Sequence, residues 1–377
     1  MKDQEENGMK NKMISVLTAA VMAAAMFAGC GSSTATGSSD SVTGSSGTES
    51  EGEEVIAVSA PVVTKAGGTY ALVPKSAGNP FNEREAEGFK AAVEDAGGTA
   101  IVSYPESATA EAQIAVIQSL ISQGVDSIAI AANDEEALSG ALNQAKTAGI
   151  EVCTLDSDVV AADRAVFCNQ AGAEEIGRAL MDAIYDISDG EGEYAILSAT
   201  SQATNQNAWI EAMTELAKTD SKYSGLTLDE VVYGDDETLK SADQTQALLT
   251  KYPNLKVICA PTTVGMAAAA KVLQDQGSGV KLTGLGLPSE MQAYIGSDDE
   301  HPCPYMFLWN PTDLGMLAGY TSIALANGQI SGAAGDAFSC NLGDYTITAN
   351  GDGATEIILG QPFKFDSSNI SEWAQVY

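Results

Sequence analysis

Amides and hydroxyls follow most of the predicted strands of this sequence. The uncharged members of this set are Asn79, Asn133, Asn169, Gln170, Asn205, Gln206, Asn207, Thr262, Thr263 and Asn310, and Lys75 and Asp156 supply charge. An amide donates a hydrogen bond to one hydroxyl and accepts one from another, and a carboxylate accepts strong bonds from adjacent hydroxyls. Phe81 offers a ring for the apolar face of a sugar. These types suit a neutral, polyhydroxylated ligand, although any single amide fits helix capping or a turn equally well.

Two neighbouring strand ends carry this pattern most clearly. The apolar run 150–155 ends in Asp156-Ser157-Asp158, and a second apolar run, 165–168, ends in Asn169-Gln170. Open α/β sheets bind their ligands at the carboxyl ends of strands. We therefore expect this stretch to line a cleft, and the chain to cross between two lobes at its end.

The sequence lacks the usual signatures of catalysis. It contains no GxxxxGK[ST] phosphate loop and no GxSxG nucleophile elbow, and its first strand is not followed by a GxGxxG fingerprint. His301 is the only histidine, and no cysteine spacing matches a metal site. We predict that the protein is not an enzyme and holds no cofactor or metal.

The elements that position these residues alternate between strand and helix. From Gly68 to Gln170 apolar strand-like runs alternate with helical periodicity, which indicates βαβ units and a parallel sheet. The same alternation restarts after Gln170 and predicts a second lobe. The terminal part, including a helix opened by Asn310-Pro311 and a hairpin turn at 350–353, adds elements back to both lobes. The predicted lobes are 68–165 plus about 311–335, and 166–310 plus about 336–377.

The charge balance is strongly acidic. Asp and Glu total 51 against 18 Lys and Arg, a formal net charge of −33. Nucleic-acid binding depends on neutralising phosphates with Lys and Arg, so this balance argues against a nucleic-acid partner. It indicates a soluble surface and says little about the fold.

The amino terminus has the features of an export signal. Lys10 and Lys12 precede an apolar run, 13–28, that is shorter than a typical membrane span and ends in small residues before Cys30. This resembles the lipobox of bacterial lipoproteins, in which the cysteine is acylated; an ordinary secretory signal is the alternative. We predict a signal peptide at 1–30, lipidation of Cys30, and a flexible Ser/Gly-rich tether at 31–67.

Six stretches, spread over most of the chain from Gly68 onward, together resemble one family. They resemble the sugar-binding proteins of ABC importers of the ribose-binding-protein type, closest to the rhamnose-binding and autoinducer-2-binding branch. The stretches are Asn79-Pro80-Phe81, Thr109-Ala110-Glu111-Ala112-Gln113-Ile114, Leu155-Asp156-Ser157-Asp158, Asn205-Gln206-Asn207-Ala208-Trp209, Ala260-Pro261-Thr262-Thr263 and Leu308-Trp309-Asn310-Pro311.

The resemblance implies an α/β fold of two Rossmann-like lobes with parallel sheets, joined by a three-segment hinge and closing over one ligand (periplasmic binding protein type I). It implies Asp156, and not Asp158, as the cleft carboxylate. The full predicted ligand-binding set is Lys75, Asn79, Phe81, Asp156, Asn169, Asn205, Gln206, Pro261, Thr262, Thr263 and Asn310.

Two departures bear on the ligand. The positions of Asn205 and Asn310 carry aspartates in autoinducer-2 binders, and the aspartate of many ribose-type binders is replaced by Gly286-Leu287-Pro288. The resemblance therefore favours L-rhamnose or a related monosaccharide. It implies a lipid-anchored solute-binding component that delivers sugar to permease subunits with a separate ATPase. We expect it on the outer face of the cytoplasmic membrane, with a Gram-positive surface favoured over a periplasm.

Three other functions share this fold or its chemistry. A sensor would present a bound sugar or autoinducer-2 to a receptor, and genes for a permease and ATPase nearby would argue against it. A repressor would need a DNA-binding helix pair at the amino terminus, where the lipobox stands. A sugar isomerase would need a metal set or an acid–base histidine.

Overall fold

Alternating strands and helices build two parallel sheets in the computed structural model, which describes residues 60–64, 67–351 and 353–377. These residues fall within the unit Ala57–Tyr377. The predicted signal peptide, Cys30 and the tether up to residue 59 lie outside the described residues. Within the described ranges no helix combines the length and apolarity needed to span a bilayer.

The first lobe is built on a seven-stranded sheet whose neighbours are all parallel except the first pair. Four helices belong to this lobe: α1 (Pro80–Asp95), α2 (Ala110–Gln123), α3 (Ser139–Thr147) and α9 (Pro311–Ala326). From one edge to the other the strands are β13 (Thr348–Ala349), β14 (Thr355–Ile358), β5 (Val166–Asn169), β4 (Glu151–Leu155), β3 (Ser127–Ile130), β1 (Thr69–Val73) and β2 (Thr99–Val102).

The second lobe is built on a four-stranded parallel sheet. Its strands are, in order, β7 (Leu226–Tyr233), β6 (Gly192–Ser198), β8 (Leu255–Ala260) and β9 (Lys281–Gly284). Its main helices are α4 (Ala173–Ile187), α5 (Thr204–Thr219), α6 (Thr238–Lys251) and α7 (Thr263–Asp275).

Shorter elements complete the chain. An antiparallel pair formed by β10 and β15 extends the second lobe, because a bridge between Leu285 and Phe307 joins β10 to the residue after β9. These elements are α8 (Pro288–Met291), β10 (Tyr305–Leu308), β11 (Ala337–Cys340), β12 (Gly343–Thr346), β15 (Phe363–Asp366) and α10 (Ile370–Trp373).

The chain crosses between the lobes three times, as the family resemblance implies. The crossings follow β5, β10 and β14. Two of them run side by side, because the Leu359 N–H donates to the Asn169 carbonyl at 2.8 Å and the Gly360 N–H donates to the Gln170 carbonyl at 3.2 Å. The predicted type of fold is confirmed.

The predicted lobe boundaries differ from the sheets at two places. Residues 166–169 form β5, which pairs with β4 and β14 in the first sheet, and β14 itself lies in the range assigned to the second lobe. The first crossing therefore follows Asn169, which agrees with the crossing expected at the end of the 150–170 stretch and not with the lobe boundary at 165. An apolar run specifies a buried strand, but the identity of its partner strand depends on contacts far away in sequence.

The predicted tether also ends earlier than residue 67. Val62 forms a parallel bridge with Ser339, and the Ser339 N–H donates to the Pro61 carbonyl at 2.8 Å. Val63 is buried and the Thr64 N–H donates to Gln329 Oε1 at 3.0 Å. Residues 60–64 are thus held against the first lobe by backbone hydrogen bonds.

Helices α1 and α9 share both a start signal and a close packing contact. Each begins with an Asn-Pro pair whose amide oxygen caps the first turn: Asn79 accepts from the Phe81 N–H and Asn310 from the Thr312 N–H, both at 3.0 Å. A Cβ at Gly88 would lie 1.9 Å from the Thr312 carbonyl oxygen. Glycine at this position lets the two helix backbones approach.

Candidate functional site

A cavity of about 40 Å³ lies where the carboxyl ends of the two sheets meet. Every lining residue except Leu308, which ends β10, follows a strand or belongs to the first turns of the next helix. The first lobe supplies Lys75, Asn79, Phe81, Asn82 and Asp156, the second supplies Asn205, Gln206, Trp209, Asp236, Pro261, Thr262, Thr263 and Leu285, and Leu308 and Trp309 lie at the second crossing.

Three buried side chains form a closed ring of polar contacts across the cleft. Lys75 Nζ lies 3.1 Å from Asp156 Oδ2 and donates to Asn205 Oδ1 at 3.1 Å. Asn205 Nδ2 donates in turn to Asp156 Oδ1 at 3.0 Å. The side chains of Lys75 and Asp156 are only 10% and 6% exposed. The ring thus balances one cation and one carboxylate in a place that excludes most water.

The position of Asp156 in the ring requires an unfavourable backbone conformation. Its φ of 56° lies in the left-handed region, which costs energy for a residue with a side chain, although aspartate tolerates it better than most. The Gln170 side-chain N–H donates to the Asp156 carbonyl at 3.1 Å. Gln170, which follows β5, therefore holds Asp156, which follows β4, in position.

Gln206 anchors the second-lobe part of the site. Its Oε1 accepts from the Ser198 hydroxyl at 2.7 Å and from the Ala199 N–H at 2.8 Å, which ties the first turn of α5 to the end of β6. The Gln206 N–H donates to Asn205 Oδ1 at 2.8 Å. These contacts fix the rotamer from which Asn205 reaches Lys75 and Asp156.

Aromatic rings form one wall of the cavity. The Phe81 and Trp309 ring centroids are 6.2 Å apart at 89°, and those of Trp209 and Trp309 are 5.7 Å apart at 65°. Edge-to-face packing of this kind holds rings rigidly and presents C–H-rich surface to a ligand. Trp209 is buried, and it also lines the cavity.

Asp236 is a cavity residue that the sequence reasoning did not single out. It follows β7, accepts from the Thr262 hydroxyl at 2.8 Å, and has a left-handed φ of 55°. Burial raises the pKa of Asp236 above its usual value, against the opposing effects of the Thr262 hydrogen bond and the Lys75 charge. The strand-end pattern that identified Asp156 also applies to Asp236.

Two predicted ligand residues do not line this cavity. Asn310 acts as the cap of α9. Asn169 donates to Glu356 Oε2 at 2.8 Å and lines a neighbouring cavity of about 90 Å³ that shares Asp156 and Asn205 with the first. The other nine predicted residues, Lys75, Asn79, Phe81, Asp156, Asn205, Gln206, Pro261, Thr262 and Thr263, lie together around the main cavity.

Asp158 has a structural partner. It forms an ion pair with Arg164, whose Nε donates to Asp158 Oδ1 at 2.7 Å and whose Nη1 donates to the Thr355 carbonyl at 2.7 Å. Asp158 Oδ1 also accepts from the Thr154 hydroxyl at 2.6 Å. These contacts connect the loop after β4 to β14, so the two aspartates of the Asp156-Ser157-Asp158 stretch have different surroundings.

Residues 70–330 match a family model described as a periplasmic binding protein domain. The chain belongs to the periplasmic binding protein family. This binding protein is 60% identical to an ABC transporter solute-binding protein from Clostridium phytofermentas that was solved with bound L-rhamnose. The match has a TM-score of 0.81 and covers 83% of this chain and 99% of the other.

Two further solved structures resemble this binding protein. A sugar ABC transporter structure from Actinomyces odontolyticus is 36% identical, with a TM-score of 0.66 over 83% of this chain and 99% of the other. LsrB from Clostridium saccharobutylicum, in complex with AI-2, is 22% identical, with a TM-score of 0.75 over 81% of this chain and 99% of the other. At that identity the second likeness concerns the fold alone. The resemblance to the ribose-binding-protein type is confirmed.

Proposed function

We propose that this chain is the solute-binding component of an ABC sugar importer and binds L-rhamnose or a closely related monosaccharide in the cleft. The observation that carries the proposal is the ring of Lys75, Asp156 and Asn205, which joins both lobes within an aromatic-walled cavity. Each member is a strong donor or acceptor for a sugar hydroxyl. A 60% identical protein that was solved with L-rhamnose supports the choice of sugar.

The amide of Asn205 favours a neutral sugar. With one lysine and one carboxylate, the ring has no net charge, and Asn205 both donates and accepts within it. An aspartate at this position would add a second carboxylate and accept only. Asn310, the other amide that distinguished the branches, caps α9 and does not line the cavity, so Asn205 is the one of the two amides that can contact the sugar.

The sugar acts by stabilising the closed arrangement of the lobes. A ligand shifts a conformational equilibrium only as far as it binds one state better than the other. Hydroxyls that contact Asp156 of the first lobe and Asn205 or Asp236 of the second do so only when the lobes are together. The closed, loaded form then docks on permease subunits, which a separate ATPase serves.

Calorimetry of the full chain against L-rhamnose, ribose, galactose, xylose and autoinducer-2 tests the ligand. We expect L-rhamnose to bind most tightly, because the cavity offers both apolar rings and mixed donors and acceptors. Binding of autoinducer-2 alone would overturn the rhamnose assignment. Binding of none of these ligands would overturn the sugar-importer proposal.

The membrane attachment is a separate part of the proposal. It is supported by the apolar run 13–28 and the small residues before Cys30. We expect the wild-type chain to incorporate a radiolabelled fatty acid and to sediment with membranes, and Cys30→Ala to do neither. Membrane sedimentation of Cys30→Ala at the wild-type level, without label in either chain, would contradict lipid anchoring.

A further inference from the structure

Glu85 is a buried carboxyl group beside the sugar site that the binding mechanism above does not use. Its side chain is completely buried, and neither carboxyl oxygen has a hydrogen-bond partner among the described residues. It lies in α1 one turn after Phe81 and Asn82, which both line the cavity. An ionised carboxylate without partners in a protein interior is very unfavourable, and such a group takes up a proton instead.

The charges that act on Glu85 do not favour its ionised form. Asp156 and Lys75, in the loops after β4 and β1, act on it with opposite signs, and they are already paired with each other at 3.1 Å. Tyr104, in the loop after β2, also interacts electrostatically with Glu85. Burial first, and then Asp156, raise the pKa of Glu85 well above its usual range, against the opposing effect of Lys75.

The neighbouring helices bring no free cation to Glu85. Helix α9, which packs on α1, carries Asp313 and Tyr320 as its titratable side chains. On α1 itself, Arg84 lies 3.0 Å from Glu87, and Lys90 pairs with Glu94 at 3.7 Å. Packing is also tight here, because a Cβ at Gly315 would lie 1.9 Å from the Glu85 carbonyl oxygen.

Closing of the lobes further favours the neutral form of the Glu85 carboxyl group. Asp236 comes from the second lobe, and in the closed cleft its charge interacts with Lys75 and Asp156. Closure thus adds a carboxylate near the pair and removes water from around it. Both changes disfavour a further negative charge, since removing water strengthens repulsion between like charges.

We propose that Glu85 is a positioning residue that is held as a neutral acid in the closed site, and that closing over the sugar takes up a proton on its carboxyl group. This inference rests on the proposed function, because the sugar is what closes the lobes. Glu85 acts through Lys75 and Asp156: while it is neutral, the full charge of Lys75 remains available to Asp156 and the ligand.

The sign of the pH effect follows from the direction of the change. Below the pKa of Glu85 in the open form, the group is protonated in both forms and the affinity is constant. Between the open-form and closed-form pKa values, closing takes up a proton, so the dissociation constant rises by about tenfold per pH unit. Above the closed-form pKa the affinity is again constant, at its weakest value.

Titration calorimetry with L-rhamnose tests this coupling in the full chain. Measurements at several pH values, each in two buffers that are effective at that pH and differ in ionisation enthalpy, give the number of protons exchanged per sugar bound. We expect the wild type to take up a fraction of a proton that approaches one, and Glu85→Gln, which is always neutral, to bind with clearly less uptake and a shallower pH profile, since only Asp236, whose pKa is also raised by burial, remains to take up a proton. Glu83→Gln, an exposed change on the same helix, is the matched control and should behave as the wild type.

Two outcomes of this titration overturn the inference. One is L-rhamnose binding to the wild type with no proton uptake at any pH above the ordinary glutamate pKa at which the protein stays folded. The other is proton uptake that persists unchanged in Glu85→Gln. The first measurement needs no variant, so it remains decisive if Glu85→Gln does not fold.

Unfolding without ligand separates this inference from the proposed function. As pH rises above the ordinary glutamate pKa of about 4.3, the wild type should lose stability relative to Glu85→Gln, because ionisation is penalised only in the folded state. If the difference in free energy of unfolding between the wild type and Glu85→Gln does not change with pH, the assignment of Glu85 as a neutral acid is overturned. A pH-dependent difference together with no L-rhamnose binding would overturn the sugar assignment and the coupling to it, while the neutral Glu85 stands.

Discussion

At the scale of single residues, Asp156 and Asp158 show how two neighbouring carboxylates acquire different roles. Asp156 faces Lys75 and Asn205 in the cleft, and Asp158 faces Arg164 and the Thr154 hydroxyl beneath it. The distinction depends on the left-handed backbone at Asp156, which turns its side chain toward the second lobe's Asn205. Matched substitutions at the two positions should therefore have different effects.

We expect Asp156→Asn to weaken L-rhamnose binding by about 100-fold or more. Two hydrogen bonds from sugar hydroxyls to the Asp156 carboxylate, worth about 1.5–3 kcal/mol each, become weaker neutral ones. The ligand-free thermal transition should change little, because Lys75 lies in the cleft and becomes solvated when the lobes of the ligand-free protein open. Asp158→Asn should keep the affinity and lower the free energy of unfolding by up to about 3 kcal/mol, since it leaves Arg164 buried without its partner. Calorimetry and thermal unfolding of both variants check this, and wild-type affinity in Asp156→Asn would remove Asp156 from the site.

The residues also show how far the sequence alone reaches. The rule that strand ends carry ligand groups located Lys75, Asp156 and Asn205 correctly around one cavity, because parallel strands bring their carboxyl ends to a common edge. It did not separate Asn310, whose amide caps a helix, from amides that line the cavity. Capping depends on the local backbone, whereas cavity lining depends on which lobe faces which, and only the assembled fold determines that.

At the scale of elements, local sequence patterns predicted the helices and strands, but they did not predict strand pairing between residues that are distant in sequence. The strand-and-helix alternation predicted the βαβ units, and the turn at 350–353 is a hairpin in which the Gly353 N–H donates to the Asn350 carbonyl at 3.0 Å. The assignment of β14 to the first sheet was not predictable, because its pairing with β5 joins residues about 190 positions apart, such as Ile357 and Cys168. The apolar character of each run is the same whichever sheet it joins.

The contact between α1 and α9 leads to a prediction at this scale. Gly88→Ala places a methyl group against the Thr312 carbonyl, so we expect it to lower the free energy of unfolding by about 1–3 kcal/mol. Gly140→Ala is the matched control: it lies in α3 with open space around its Cβ position and should stabilise by about 0.5–1 kcal/mol. Denaturant unfolding measures both changes, and equal effects at the two sites would contradict a packing origin.

At the scale of the whole molecule, three crossings allow two lobes to move about one hinge. The ring of Lys75, Asp156 and Asn205 joins the lobes by direct contacts. A buried ion pair gains little net stability, however, because desolvation of its charges offsets most of their attraction. The ring alone should therefore leave an open form substantially populated, and the sugar supplies the remaining preference for closure.

Small-angle X-ray scattering can measure this closure in solution. Moving an open-to-closed ratio from 99:1 to 1:99 requires a ligand to favour the closed form by about 10⁴-fold, and a sugar that contacts both lobes can provide this through a few charge-assisted bonds. We expect saturating L-rhamnose to reduce the radius of gyration of the wild type and to leave that of Asp156→Asn unchanged at the same concentration. If calorimetry shows binding while the radius of gyration of the wild type stays constant, the ligand does not act by closing the lobes, and the closed cleft is the ground state of the free protein.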